Sequence, residues 1–506
     1  MPEQLISPQN ESTHMTKYDF PNRKQNVVWQ TRNAIDSSIN RLPFETISTI
    51  FFYAICHPSP FNHYTSWGTR RVQLKRNPED AFFSVTLGAV CSSWRTVVLS
   101  TPKLWTYFEY PESAWKRKRD CRYLLALYLH NSRHLPISIS LTFTGDVDNS
   151  LLWHPSFDRA LISNLKRIHS LSLQNPPPCW VSQLKDIPFI VNLSIDWESR
   201  SPHTKERLPL HRCHALVCLS LHRASAAPTS DICRIIYQIP SSLTILDLSF
   251  IPIDTCIKAM LRCPNLVEAY IHSHQVEDDY STPDYLRENW FIEPVAFPHL
   301  KVFLWDWSHD GSDWAEVFFE RLQTPSLCTL VLAASYDGQL QGLSSGERRF
   351  IDQLPRTLRT LKLQQVADID VDSLGHLLNY KSSLENLIVS YCEVEVMASI
   401  FNILHPPKDT TDQPICLPLL KSLLIVSCAV DEDECVTLEL QVAELGPLVE
   451  ALEHRLGTDA TFKLEFSRVG IDWSPKLQRK LQSLVAKGVR LELIEDSEPV
   501  NWLQVR

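Results

Sequence analysis

Three stretches of this chain carry residue types that do chemistry elsewhere. Gly342-Leu-Ser344-Ser-Gly346 has the Gly-x-Ser-x-Gly form of a nucleophile elbow, in which a serine is exposed on a sharp turn from strand to helix. That turn needs the serine at the very end of a strand, whereas residues 337–343 separate Ser344 from the apolar run that ends near Ser335. Ser344 with Glu347 fits a helix-starting capping box better, because each side chain then accepts from a free backbone N–H. Asp306-Trp-Ser308-His-Asp310-Gly311 supplies oxygens at positions one, three and five and glycine at six of a calcium loop, but position twelve is Val317, so the bidentate carboxylate is missing. His211-Arg-Cys213-His214 with Cys218 offers zinc donors; Leu216, Leu219 and Leu221 put Cys218 on a strand, which splits the set. No histidine stands with paired carboxylates, so no catalytic residue, metal or cofactor is expected.

Composition narrows the function further. The 506 residues include 49 Lys and Arg against 58 Asp and Glu, a net charge of −9, where a nucleic-acid binder shows a basic excess. Only 12 glycines occur, and phosphate-cradling loops need glycine. Fourteen cysteines without a Cys-x-x-Cys pair, and a first segment lacking the features of a signal peptide, predict reduced thiols and a cytoplasmic or nuclear location. A basic run at residues 116–119 suits a solvated helix face or a nuclear-import patch. No apolar run reaches the roughly 18 residues that span a bilayer.

The elements that must position any site begin with two apolar helices. Ile47, Ile50, Phe51, Ala54 and Ile55 recur at helical spacing behind Pro43; Leu87, Val90, Cys91, Trp94 and Val98 do the same until Pro102 stops the helix. Leu104 and Trp105 follow as anchors. Two such helices bury too little to stand alone, so a partner is expected to complete them. Another helix is expected within residues 113–132. From Ile137 the period changes to two, and Leu-x-x-Leu-x-Leu then recurs ten times, from Ile168/Leu171/Leu173 to Leu420/Leu423/Ile425, with about 22 to 36 residues between middle positions, near the leucine-rich-repeat range. Each unit needs its neighbours to bury its apolar side. Intervening segments such as 231–239, 254–261 and 371–378 read as convex helices, and Cys392 and Cys428 fall where such repeats turn a side chain inward.

Leu42-Pro43-x-Glu45-x-Ile47-x-x-Ile50-Phe51, Val90-Cys91-x-x-Trp94-Arg95-x-x-Val98 and Thr101-Pro102-x-Leu104-Trp105 resemble an F-box, over about an eighth of the chain. The departure from that pattern is a polar insertion at residues 56–80. The resemblance implies a substrate-recognition subunit of an SCF-type ubiquitin ligase, with Leu42, Pro43, Ile47, Ile50, Phe51, Val90, Cys91 and Trp94 meeting the adaptor and through it a cullin. The alternative is an F-box scaffold that assembles partners without ubiquitination.

The expected class is α/β: a flexible arm (1–37), an F-box (38–110), a linker helix (111–134), a repeat solenoid (135–498) with a closing unit from about 436, and a tail (499–506). Residues between the repeat leucines face the concave side. In order they are Ser172, Ser194, Ser220, Asp247, Tyr270, Leu304, Val331, Lys362, Ile388 and Leu424. The apolar members of the later half, with Tyr270, are expected either to grip an unidentified protein substrate or to lie under a loop or the tail, since exposed apolar area costs about 25 cal/mol per Å².

Overall fold

A computed structural model describes residues 38–56, 82–110, 121–143, 163–176, 187–197, 210–223, 239–272, 294–306, 313–334, 339–340, 343–366, 368–369, 371–379, 383–405, 417–426, 438–440, 442–455, 461–467, 469–471, 473–496 and 498–503. The arm, most of the 56–80 insertion, the basic run at 116–119, Cys428 and most of the predicted 231–239 helix lie outside the described residues.

One sheet of fifteen strands organises the chain. Its strands are β1 (Tyr107–Tyr110), β2 (Ile137–Thr142), β3 (Ile168–Gln174), β4 (Asn192–Trp197), β5 (Cys218–Arg223), β6 (Ile245–Ser249), β7 (Glu268–His272), β8 (Val302–Asp306), β9 (Thr329–Ala333), β10 (Thr360–Gln364), β11 (Asn386–Ser390), β12 (Ser422–Val426), β13 (Thr461–Ser467), β14 (Arg490–Glu495) and β15 (Glu498–Pro499). They lie side by side in chain order, parallel except for the final β14–β15 pair. A parallel neighbour requires a crossover segment, and repeating that crossover in one direction makes a solenoid. The ten predicted units coincide with β3 to β12, and all thirty of their apolar positions are buried. The architecture is therefore an α/β solenoid of leucine-rich-repeat type.

The crossovers include α5 (Ile253–Leu261), α6 (Asp313–Arg321), α7 (Ser345–Gln353), α8 (Val371–Asn379), α9 (Val394–Leu404), α10 (Val442–Arg455) and α11 (Pro475–Ala486). Their apolar residues, such as Ile257, Phe319, Phe350, Ile400 and Leu448, join the strand leucines in one core. At the exits of β3, β6, β10 and β11 the chain turns through left-handed residues, Asn175, Phe250, Gln365 and Tyr391 (φ 53°, 56°, 57° and 61°). Each N–H donates to a carbonyl at the end of the following strand, Asp196, His272, Ser390 and Val426 in turn. The stacked turns leave few backbone groups unsatisfied, which offsets a conformation that L-residues avoid.

The N-terminal end carries α1 (Phe44–Cys56), α2 (Phe83–Val90), α3 (Ser92–Ser100) and α4 (Cys121–Asn131). Here the expected second helix is two helices. Cys91 is extended (φ −156°, ψ 170°) and caps α3, its sulfur accepting from Trp94 N–H at 3.4 Å. A break suits this position because the Cys91 side chain satisfies one of the free N–H groups of a new helix start. Ile47, Phe51, Leu87, Val97 and Val98 are buried in the same core as the solenoid. The Ser84 hydroxyl donates to Leu104 O at 2.6 Å, and Trp105 Nε1 donates to Val98 O at 2.8 Å. Trp105 and Phe108 both meet Tyr128 of α4 edge-on, at 5.0 and 5.2 Å. The Arg167 guanidinium then ties the end of α4 to the sheet through Leu129 O, Leu135 O and Ser132 Oγ. Thus α1, α3 and α4 pack on the turn at Pro102–Trp105, and α4 also on β1. The expectation that their inner face waits for another protein is corrected: this chain's own first strand and anchors complete it.

Candidate functional site

Two surfaces are built by this scaffold. The first is the outer side of α1 to α3. An amphipathic helix packed on a core turns its remaining positions outward, and here several large apolar residues stand among the polar ones at those positions. Leu42, Phe44, Ile50, Tyr53, Val90 and Leu99 account for six of the eleven exposed large hydrophobic residues among the described ones, with Tyr53 at 64% and Val90 at 57% exposure. Ile50 and Tyr53 share a side of α1, three residues apart.

The eight residues expected to meet an adaptor divide accordingly. Leu42, Pro43, Ile50 and Val90 are exposed, and Cys91 is half-buried at its cap position. Ile47 and Phe51 are buried inside the chain, and Trp94 is half-buried against Phe51, ring centres 4.8 Å apart. Ile47 and Phe51 therefore support the surface from beneath. Periodicity alone could not make this division, because one stripe of apolar residues wraps both sides of a short helix. Phe44, Tyr53 and Leu99 are surface members that sequence reasoning missed; their signal was apolar residues just outside the inward-facing stripe.

The second surface is the concave side of the sheet. Strand pairing sets one row of partners: Ser172, Ser194, Ser220, Asp247, Tyr270, Leu304, Val331, Lys362, Ile388 and Leu424. The row continues as Glu465 and Ile494. Tyr270, Ile388 and Leu424 are half-buried, but Leu304 (1%) and Val331 (7%) are closed in a small cluster of their own with Ala333, separate from the main core. Leu304 and Val331 are thus not open surface. The tail does not account for this on the described residues: Trp502 lies against Trp473 at 5.6 Å, and its carbonyl accepts from Gln482 Nε2 on α11.

The electrostatics of the row change along it. Lys362, among apolar neighbours, has its ammonium pushed down to about 8, chiefly by burial. Toward the other end, Asp196 lies 3.7 Å from His222 and Asp247 lies 3.9 Å from His272. Ser220 donates to Asp247 at 3.2 Å, and Tyr270 donates to Glu268 at 2.7 Å. Burial pushes the His272 imidazole down to about 3, with His222 and Lys362 adding to the effect, so the ring is neutral at pH 7.

The stretches that invited catalytic readings fold otherwise. Ser344 caps α7: its N–H donates to Glu347 at 2.8 Å and its Oγ accepts from Glu347 N–H at 3.3 Å. Gly346 beside it lets α7 approach α6, since a Cβ there would lie 2.2 Å from Glu316 O. Cys213 packs in the core while Cys218 sits on β5 facing the concave side, and burial pushes their thiols up to about 11 and about 12. Asp306 ends β8, and Ser308 to Gly311 lie outside the described residues. Cys392 is buried as expected, its thiol contacting Leu363 O and Ser390 O and pushed up to about 12 by burial. No helix is long and apolar enough to cross a membrane, and no group of three His, Cys, Asp or Glu residues fits a metal ion, among the described residues.

No protein-family profile matches the chain, and no curated protein is similar to it. Solved structures similar to it include the TLR13–ssRNA13 complex, with 14% identity, TM-score 0.31 and coverage of 65% of this chain and 45% of that one. The leucine-rich repeat-containing protein LegL7 from Legionella pneumophila matches at 14% identity and TM-score 0.31, over 57% of this chain and 86% of its own. An internalin, inlF, from Listeria monocytogenes matches at 12% identity and TM-score 0.30, over 73% and 82%. The chain spans less than half the length of the first of these.

Proposed function

We propose that this chain is a substrate-recognition subunit of an SCF-type ubiquitin ligase: the outer side of α1 to α3 docks the adaptor, and the concave face of the solenoid receives a substrate protein. The reading combines the F-box resemblance with one observation, the concentration of exposed apolar side chains at Leu42, Phe44, Ile50, Tyr53, Val90 and Leu99. Exposed apolar patches on otherwise polar surfaces mark protein-interaction sites, and aromatic residues are frequent energetic anchors within them. Because the inner face of the helices is already buried, adaptor binding requires no unfolding or repacking, and association would be close to rigid-body docking.

In this reading the chain forms no bond itself and needs no cofactor. Its contribution is proximity, which raises the effective concentration of a substrate lysine near activated ubiquitin to roughly the mM range. The test is reconstitution with adaptor, cullin, RING subunit and a conjugating enzyme. Ubiquitination of a co-purified partner, lost with Tyr53→Asp, supports the reading. A stable adaptor complex that never modifies any captured partner would make the chain a scaffold instead.

A further inference from the structure

Within β3 to β7, three rows of side chains face the concave side: Ser170, Asn192, Cys218, Ile245 and Glu268; Ser172, Ser194, Ser220, Asp247 and Tyr270; Gln174, Asp196, His222, Ser249 and His272. These fifteen positions hold three carboxylates and no lysine or arginine. Unlike Leu304 and Val331, the middle row is half-exposed throughout. The negative field is felt locally, since Asp247 and Glu268 both add to the rise of the Cys218 thiol. A second observation is an unsatisfied polar atom beside one of these carboxylates. His272 is 4% exposed, yet its Nε2 makes no hydrogen bond and stands 3.9 Å from Asp247 Oδ1, beyond hydrogen-bond length. A buried nitrogen in that condition costs free energy unless something completes it.

We infer that the concave face of β3 to β7 takes an extended, lysine- or arginine-bearing segment of a partner protein, with a basic side chain over Asp247 and Glu268. Five parallel strands about 4.8 Å apart span roughly 19 Å, the reach of about six extended residues. The serines and Asn192 along the path supply hydroxyl and amide groups for a backbone crossing the strands. A nucleic acid is excluded by sign, because its phosphates would meet the carboxylates. Lys362, three strands past Tyr270, sets the far limit for positive charge. The inference deepens the proposed role of the solenoid as substrate receiver and does not involve the helices at the N-terminal end.

The test uses the full chain and a fluorescein-labelled nonapeptide alternating lysine and serine, with its glutamate-for-lysine counterpart as control, followed by fluorescence anisotropy. The lysine peptide is expected to bind, weakening at least tenfold with the Asp247→Asn, Glu268→Gln pair and on raising salt from 50 to 300 mM; the glutamate peptide is not. Glu268→Lys with Asp247→Asn should reverse the preference, which separates lost charge from lost fold. Equal binding of both peptides, or no effect of the pair, overturns the inference. So does binding that appears only after residues 57–80 are deleted, since that assigns the face to the chain's own insertion, which carries Arg70, Arg71, Lys75 and Arg76. Adaptor affinity, measured on the same variants, should not move; its loss would indict the variants' fold, and its absence in the unaltered chain would remove the ligase reading while leaving this face intact.

Discussion

Acidification should destabilise this solenoid through His272 by an amount the structure fixes. The ring is buried and neutral, with its folded value near 3 against about 6.5 in the unfolded chain. The unfolded state therefore binds the extra proton between those values. The His272 contribution is whole above pH 6.5 and is lost progressively as pH falls toward 3. From pH 7 to pH 5 the loss is about 2 kcal/mol, from linkage with an unfolded value of 6.5. This figure is the same for a folded value of 3 or 4, since both leave the native ring neutral at pH 5. Other groups titrate in the same window, so the informative quantity is a difference of differences. Urea unfolding followed by tryptophan fluorescence at both pH values, for the native chain and His272→Gln, should show the variant losing about 2 kcal/mol less. Equal losses in the two proteins would mean that the ring protonates in place, and the burial argument for the concave face would be refuted.

Gly346→Ala should cost about 2 kcal/mol or more, because its Cβ would strike Glu316 O on a neighbouring helix, whereas Ser344→Ala should cost only about 1 kcal/mol as a lost cap; thermal unfolding ranks the two. Gln365→Gly should stabilise by roughly 0.5 kcal/mol, the relief of a left-handed residue exceeding the added chain entropy, which the urea midpoint reports. Cys392, buried and pushed up to about 12, should resist iodoacetamide at pH 7.5 in the native chain and react in urea, as read by mass spectrometry.

Much of the fold was legible because parallel strands with a buried side write themselves as a fixed spacing. Leu-x-x-Leu-x-Leu gave ten strands, and the helices expected at residues 254–261 and 371–378 agree with the structure to within a residue. Strand β1 was missed: four residues, Tyr107 to Tyr110, are too few for a period to register, and their place in the sheet depends on pairing with β2. The break at Cys91 was missed because Leu87, Val90, Cys91, Trp94 and Val98 keep helical spacing straight across it. The concave row was placed correctly residue by residue, since alternation within a strand is local. Whether a member of that row is covered is a long-range property, and neither Leu304 nor Val331 differs in type from the more open Ile388 and Leu424. The same limit explains why Ile47 and Ile50, identical residues three apart, lie on opposite sides of the molecular surface.

The most direct test of the ligase reading is the affinity of the intact chain for the SCF adaptor, measured by calorimetry for the native protein, the Ile50→Asp, Tyr53→Asp pair and Phe61→Ala as an insertion control. Native binding in the submicromolar range, weakened more than thirtyfold by the pair without a change in unfolding midpoint and unaltered by the control, is the predicted result. A well-folded chain that ignores the adaptor, or binds it equally with both apolar side chains replaced by charge, would contradict it.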